Sequence, residues 1–354
     1  MRIFAATPFY IQGPGALSQV GDTAARLGGR PGIVIDAAVE PLVGEALLAG
    51  FAAPPPIARF AGEVTDANVA RIAAPLAWAD VIVAVGGGKA LDAGKAVALR
   101  AGVPVVTVPT IASTDGPASS GIAMYDDGHR LIRVDQMPAN PAAVIVDSAV
   151  IAAAPVRFLL AGIGDAIAKK FEAEGCHAGG GRTKHGTTPT HAALAIADAA
   201  YRLLRAHAQA AVAAAVRHEV TEDLEAVIEA AVLLSAMGFE NGGLSIAHSM
   251  TRGLMTLRGA KERLHGEHVG YGTLVHLAVD RRPVAEVADL AGFLRALGLP
   301  VSLRDLGVEG VSDADIDAIA EAVMASPHIG NLGRVVTGAD IAAAIRAVEA
   351  LDRA

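Results

Sequence analysis

Short runs rich in Val and Ile recur through the first part of the chain: GIVID at 32–36, VIVAVGGG at 81–88, VPVVTVP at 103–109 and AAVIVD at 142–147, with a shorter run from Ile57 to Phe60. Segments of helical period separate them at 39–49, 66–77 and 89–99. A strand that stays apolar on successive residues has both faces buried, and strands alternating with helices are joined in parallel. This half therefore reads as a parallel α/β layer structure of the nucleotide-binding, Rossmann-like style.

After Asp147 the texture changes. The β-branched runs stop, and segments dense in Ala, Leu and Glu follow at 155–174, 190–216, 219–238, 242–257, 266–279, 284–297, 312–325 and 338–352. An all-α C-terminal domain is expected, with the boundary between 1–154 and 155–354 and a Gly/Thr/Lys loop at 175–189, GCHAGGGRTKHGTTP. Two domains also suit 354 residues at roughly 150 per domain. Hydrophobic residues make up 53% of the chain and aromatics only 4%, so the core is built from Ala, Val, Leu and Ile.

Composition removes several classes of partner. A net charge of −8, spread without blocks of like charge, argues against nucleic acid and anionic membrane surfaces. No apolar run approaches the ~18–20 residues of a membrane span, and the start, MRIFAATPFYIQGPG, does not read as a signal peptide. One cysteine, Cys176, excludes an intrachain disulfide and a cysteine-based zinc cluster. A cytoplasmic homo-oligomer is the expectation.

Candidate chemistry lies in three places. Gly86, Gly87, Gly88 and Lys89 stand between an apolar strand and a helix, where a diphosphate is cradled by free N–H groups or the chain merely turns tightly. Neither a Walker A nor a G-x-G-x-x-G fingerprint is present, since Lys89 stands where the first needs glycine and Ala96 where it needs Ser or Thr. Asp36 closes an early strand and is either a ribose acceptor, favouring NAD over NADP, or an ordinary strand-end acid. The segment VPTIASTDGPASS (108–120) places Thr110, Ser113 and Asp115 after a strand, where they touch a cofactor or polyol or simply form a turn. In the helical half Asp165, His248 and His265 form either a divalent-metal set with an open position or a scatter of surface and core groups. No local zinc spacing joins them.

Taken in order, these segments resemble the glycerol dehydrogenases of the metal-dependent, iron-containing-type alcohol dehydrogenase superfamily. The stretches that carry the resemblance are TPFYIQGPGAL, GGGKALDAGKAVA (86–98), VPTIASTDGPASS (108–120), NPAAVIVDSAVIAAAPVRFLLAGIGDAIAKKFEAE (140–174), GFENGGLSIAHS (238–249) and HGEHVGYGTLV (265–275). The resemblance implies a dehydroquinate-synthase-like fold and NAD-dependent, metal-dependent oxidation of a small vicinal diol, such as glycerol to dihydroxyacetone. It puts Asp165, His248 and His265 on the metal ligands, zinc or in some relatives iron. It puts Gly88, Lys89 and Asp92 in the pyrophosphate loop and Asp36 on the adenosine ribose. Thr110, Ser113, Ser119 and Tyr125 fall on further cofactor positions, and Asp115 on the polyol. The active site then lies in the cleft between the two domains.

Departures from the family pattern are Gly121, the 175–189 loop with His177 and His185, the tail SPHIGNLGR (326–334), and His268, a candidate proton shuttle. They leave open a relative acting on a small hydroxycarboxylate, 2-oxo acid or other polyol. A dehydroquinate-synthase-like lyase is disfavoured by GGGKALDAGK and by Asp165, and a non-catalytic nucleotide-binding scaffold is the remaining reading.

Overall fold

The computed structural model describes residues 1–351; the final position of the expected 338–352 helix lies outside the described residues. Eight strands form: β1 (Phe9–Gly13), β2 (Pro31–Asp36), β3 (Ile57–Phe60), β4 (Val81–Gly86), β5 (Val105–Pro109), β6 (Gly121–Tyr125), β7 (Leu131–Gln136) and β8 (Ala143–Asp147). Six of them make one sheet in the order β1-β8-β5-β4-β2-β3, parallel at every pairing. The helices of this part are α1 (Val20–Leu27), α2 (Glu40–Ala49), α3 (Asp66–Ala73), α4 (Gly88–Ala101) and α5 (Ser148–Ala153).

Alternation of side chains along each strand builds two apolar layers. Val34, Ile82 and Ala84 pack with Val69 and Ile72 of α3 and Leu91 and Val97 of α4 on one face. Ile33, Ile35, Val81, Val83 and Val85 pack with Val20 of α1 and Val43 and Leu47 of α2 on the other. Every residue of β4, β5 and β8 is buried, as their mainly apolar sequences predict, Thr107 and Asp147 included. β1 and the antiparallel pair β6 and β7 are not anticipated by the sequence reading.

Ten helices follow: α6 (Arg157–Ala166), α7 (Lys169–Ala178), α8 (His191–Val216), α9 (Glu222–Glu229), α10 (Ser235–Gly242), α11 (Ile246–Leu254), α12 (His265–Val279), α13 (Val284–Leu297), α14 (Asp313–Met324) and α15 (Gly338–Leu351). Among the described residues no strand lies beyond Asp147, so the second half is helical as expected. The expected 155–174 helix is interrupted between Ala166 and Lys169. The expected 175–189 loop starts later, because α7 continues to Ala178. Among the described residues no single helix is long and apolar enough to cross a membrane.

The chain forms two compact units. One holds Ala5–Val156 together with Ala214–Leu233; the other holds Met1–Phe4, Arg157–Ala213 and the residues from Leu234 onward. The 214–233 segment is tied into the α/β unit by hydrogen bonds: Gln12 Nε2 donates to the Glu225 carbonyl at 2.9 Å, and His218 Nδ1 lies 2.9 Å from the Ala152 carbonyl.

Candidate active site

In the α/β unit, the chain leaves β2 toward β3 on one side and leaves β4 toward β5 on the other. The C-terminal ends of the adjacent strands β2 and β4 are therefore the point where the direction of winding reverses, which is where open parallel sheets bind ligands. Asp36 ends β2 and Gly86 ends β4. Gly86 has φ +140°, and a Cβ there would lie 2.8 Å from both Asp36 Cβ and Ala90 Cβ, so only glycine lets the turn press against the acid.

Gly87 is the N-cap of the 14-residue helix α4 and no side chain caps it. A Cβ on Gly88 would meet nothing within 4 Å, so the space before the helix terminus is open. Free N–H groups, the positive end of the helix dipole and open space together fit a diphosphate. Asp36 Oδ1 accepts the Ala38 N–H at 2.9 Å, which fixes the carboxylate at the strand end.

Two residues of the expected pyrophosphate loop have local partners. Lys89 pairs with Glu63 and stands 5.7 Å from the centre of the Tyr125 ring. Asp92 holds Lys95 at 2.7 Å and accepts the Ala123 N–H at 3.0 Å, which anchors β6 to α4.

After β5, Thr110 is buried and its Oγ1 meets no partner. A buried hydroxyl without a hydrogen bond is costly, and a cofactor group is the natural partner for it. Ser113 is half-buried and Asp115 is 9% exposed in the same loop. Ser119 Oγ accepts the N–H of Gly121, the first residue of β6, at 3.0 Å. Tyr125 closes β6; burial, followed by Asp92 and Glu63, pushes its phenol above the ordinary value.

In the helical unit Asp165 near the end of α6, His248 in the first turn of α11 and His265 at the start of α12 come together across 83 and 17 residues of sequence. Asp165 Oδ1 lies 3.1 Å from His248 Nε2 and 3.8 Å from His265 Nε2. All three ligand atoms fall within 4.8 Å of one another, a set that one ion with bonds of ~2.0–2.2 Å can share. Asp165 is buried, while the His265 side chain is 46% exposed, so one side of the set is open.

The helices meet this closely because glycine lies at their crossing. A Cβ on Gly164 would be 2.3 Å from the Gly266 carbonyl oxygen, and one on Gly266 would be 1.7 Å from that of Ala161. Each glycine neighbours a member of the set, Gly164 before Asp165 and Gly266 after His265.

Glu172, on α7, organises His248. Its Oε2 lies 2.5 Å from His248 Nδ1, and its Oε1 accepts the backbone N–H groups of Ser245 at 2.8 Å and His248 at 3.0 Å. The carboxylate thus caps α11 and engages Nδ1, so Nε2 is the nitrogen turned toward Asp165. Burial works against its charge, but His248, Lys169 and His276 outweigh that and hold its pKa at about 2. Burial likewise opposes the charge on Asp165, and Lys169 and His248 bring its carboxyl well below the usual range.

Sequence reading missed Lys169 and Glu172, although they stand four and seven residues after Asp165, the spacing of one helical face. His268 is turned inward, and its Nε2 lies 2.7 Å from the Ala260 carbonyl. That contact secures the 260–262 turn and engages one of the two ring nitrogens.

Two of the departing segments are joined to each other. The Asn331 side chain accepts the Arg182 N–H at 3.0 Å and donates to the carbonyls of Arg182 at 3.0 Å and Leu244 at 2.9 Å. Ser245, which leads into α11, donates to the Asn331 carbonyl at 2.5 Å. Lys184 of the same loop pairs with buried Glu240 at 2.5 Å. The 175–189 and 326–334 segments are thus matched to one another and brace the entry to the helix that carries His248.

The iron-containing alcohol dehydrogenase family model matches residues 11–155. The chain is 37% identical to the glycerol dehydrogenase of Thermotoga maritima over 97% of its own length and 96% of that protein's. It is also 37% identical to the glycolaldehyde reductase of Halobacterium salinarum, over 90% and 89%. The crystal structure of a probable glycerol dehydrogenase from Sinorhizobium meliloti superimposes with a TM-score of 0.92 at 36% identity, covering 100% of this chain and 99% of that one. With the parallel sheet, the glycine turn and the Asp165, His248 and His265 set already in place, this kinship decides the matter: the chain belongs to the iron-containing alcohol dehydrogenase family and is an alcohol dehydrogenase.

Proposed function

We propose that the enzyme oxidises a small vicinal diol with NAD, glycerol to dihydroxyacetone being the leading reaction, and that Asp165, His248 and His265 hold one divalent ion for it. The convergence of those three side chains carries the reading. Two imidazoles and one carboxylate with an open side suit zinc, and iron is the second candidate. When bound, such an ion supplies Lewis acidity that lowers the pKa of a substrate hydroxyl.

The remaining work belongs to the protein. The Gly86–Gly88 turn and the α4 N-terminus bind the diphosphate, Asp36 accepts from the adenosine ribose, and Thr110 Oγ1 gains its missing partner on the cofactor. Ser113, Ser119 and Tyr125 are further cofactor positions, and Asp115 accepts from a polyol hydroxyl and fixes its orientation. Lys89 pairs with Glu63 and would exchange that partner for a phosphate, and Asp92, which holds β6 and Lys95, is a further position of the same loop. Glu172 keeps His248 in the ligating tautomer. No step is assigned to His268.

The kinship with a glycolaldehyde reductase supports the broader substrate class, because glycerol and the diol formed by reducing glycolaldehyde share adjacent oxygens on adjacent carbons. We place the enzyme in the cytoplasm as a homo-oligomer; the free thiol of buried Cys176 and the half-exposed Leu131, Ile132 and Val134 on β7 support this.

NAD reduction with glycerol and with 1,2-propanediol, before and after exhaustive chelation, tests the reading. Activity is expected to vanish on chelation and return with zinc; activity that survives full metal removal would sink the metal role. His265→Ala is expected to abolish metal retention with NAD affinity near that of the wild type.

Cofactor choice has its own test. Asp36→Gly removes the charge that would repel a 2′-phosphate, so the NADP to NAD ratio of kcat/KM should rise by about tenfold or more. An unchanged ratio would mean that Asp36 does not face the ribose.

A further inference from the structure

The ligand set already contains a cation. Lys169 is 1% exposed, and its Nζ lies 2.8 Å from Asp165 Oδ1 and 2.8 Å from His248 Nε2. A neutral imidazole nitrogen has a single in-plane lone pair. His248 Nδ1 faces Glu172, so Nε2 is the nitrogen an ion would use, and Lys169 Nζ and Asp165 Oδ1 already stand against it. A divalent ion bonded there would also face a buried ammonium at close range, where the repulsion is poorly screened. Lys169 and the ion are therefore alternative occupants of the same place against Asp165 Oδ1 and His248 Nε2.

We infer that Lys169 is the resident counter-cation of the metal site: it holds Asp165 and His248 in ligating positions without metal, and it must leave them when an ion enters. Loading is then an exchange of one cation for another rather than the filling of a vacant cage. The ammonium has somewhere to go, because the face of Phe239 lies 5.4 Å from Nζ and Phe239 stands on α10, outside the ligand set. Two consequences follow. The metal-free protein keeps buried Asp165 paired, and the bound ion is weaker and more exchangeable than the same three ligands would otherwise make it.

This rests on the metal role proposed above, and the test separates the two. Zinc affinity is measured by competition with a chromogenic chelator for the wild type, Lys169→Met and Lys169→Gln, and thermal unfolding is followed with and without zinc. Both variants should bind zinc about tenfold or more tightly than the wild type. Their metal-free forms should melt below the wild type, and zinc should raise their melting temperature by more than it raises that of the wild type. If Lys169→Met does not fold without metal, Lys169→Gln serves, because its amide still donates to Asp165.

Wild-type zinc binding that the variants do not tighten would overturn the counter-cation role and leave the metal site standing. Variants that bind zinc where the wild type does not would support it in its strongest form. No zinc binding by any of the three would overturn both readings.

Discussion

Replacing Gly266 by alanine should strip the protein of its metal and cost it several kcal/mol of stability. The new Cβ would lie 1.7 Å from the Ala161 carbonyl oxygen, 2.5 Å from its carbon and 2.9 Å from its Cα. These are backbone atoms of α6, so no side-chain rotation relieves the clash, and α6 and α12 must part by more than an ångström. Overpacking of this kind costs about 1–3 kcal/mol and more where backbone must move. Metal sites tolerate only ~0.2 Å in their bond lengths, and the displaced helices carry Asp165 and His265. Zinc content after dialysis and the thermal midpoint check this, with Gly292→Ala on α13 as the control. A Cβ at Gly292 meets nothing within 4 Å, and the usual helix preference for alanine should leave that variant neutral or up to ~1 kcal/mol more stable. A Gly266→Ala protein that keeps its zinc would show that close helix contact does not assemble the site.

The strands that the amino-acid order betrays are those buried on both faces. β4 and β8 read as unbroken apolar runs because helices cover both sides of the sheet, whereas β7, LIRVDQ, is largely exposed and alternates apolar with charged residues, and β1 includes Gln12. The proposed metal ligands are a harder case. Nothing in the spacing of Asp165, His248 and His265 joins them, because three helices from separate parts of the chain do so, and only their place in a series of family-like segments singled them out. Local spacing held more than was read from it: Lys169 and Glu172 follow Asp165 at helical spacing, and across the break between α6 and α7 both still meet His248. The change from strands to helices was visible as a change of texture after Asp147. That the 214–233 segment packs with the α/β unit was not, because an apolar helical segment carries no address for the surface it will cover.

Lys95 shows the same limit in a residue that anchors the loop proposed to meet the cofactor. It lies inside α4, and nothing in GGGKALDAGK distinguishes it from a lysine on the solvent face. It is fully buried, donates to the carbonyls of Gly116 at 3.0 Å, Ser119 at 3.3 Å and Gly121 at 2.6 Å, and holds Asp92 at 2.7 Å. One ammonium thus ties the loop of Thr110, Ser113 and Asp115 and the start of β6 to α4, the helix whose terminus is the proposed diphosphate site. Lys95→Met keeps the stem and removes the charge, leaving the carbonyls without their donor and Asp92 without its cation. Breaking one side of a buried ion pair costs about 3–5 kcal/mol, and at ~2–4 °C per kcal/mol the melting point should fall by roughly 10 °C. NAD affinity should fall with it, because the loop loses its anchor, while zinc retention by Asp165, His248 and His265 should persist below the new midpoint. Urea unfolding with NAD and zinc titrations on the same sample decides the point. A loss of stability under ~1 kcal/mol would mean that water can replace the ammonium, and that the loop's position is set by the helix and strand ends alone.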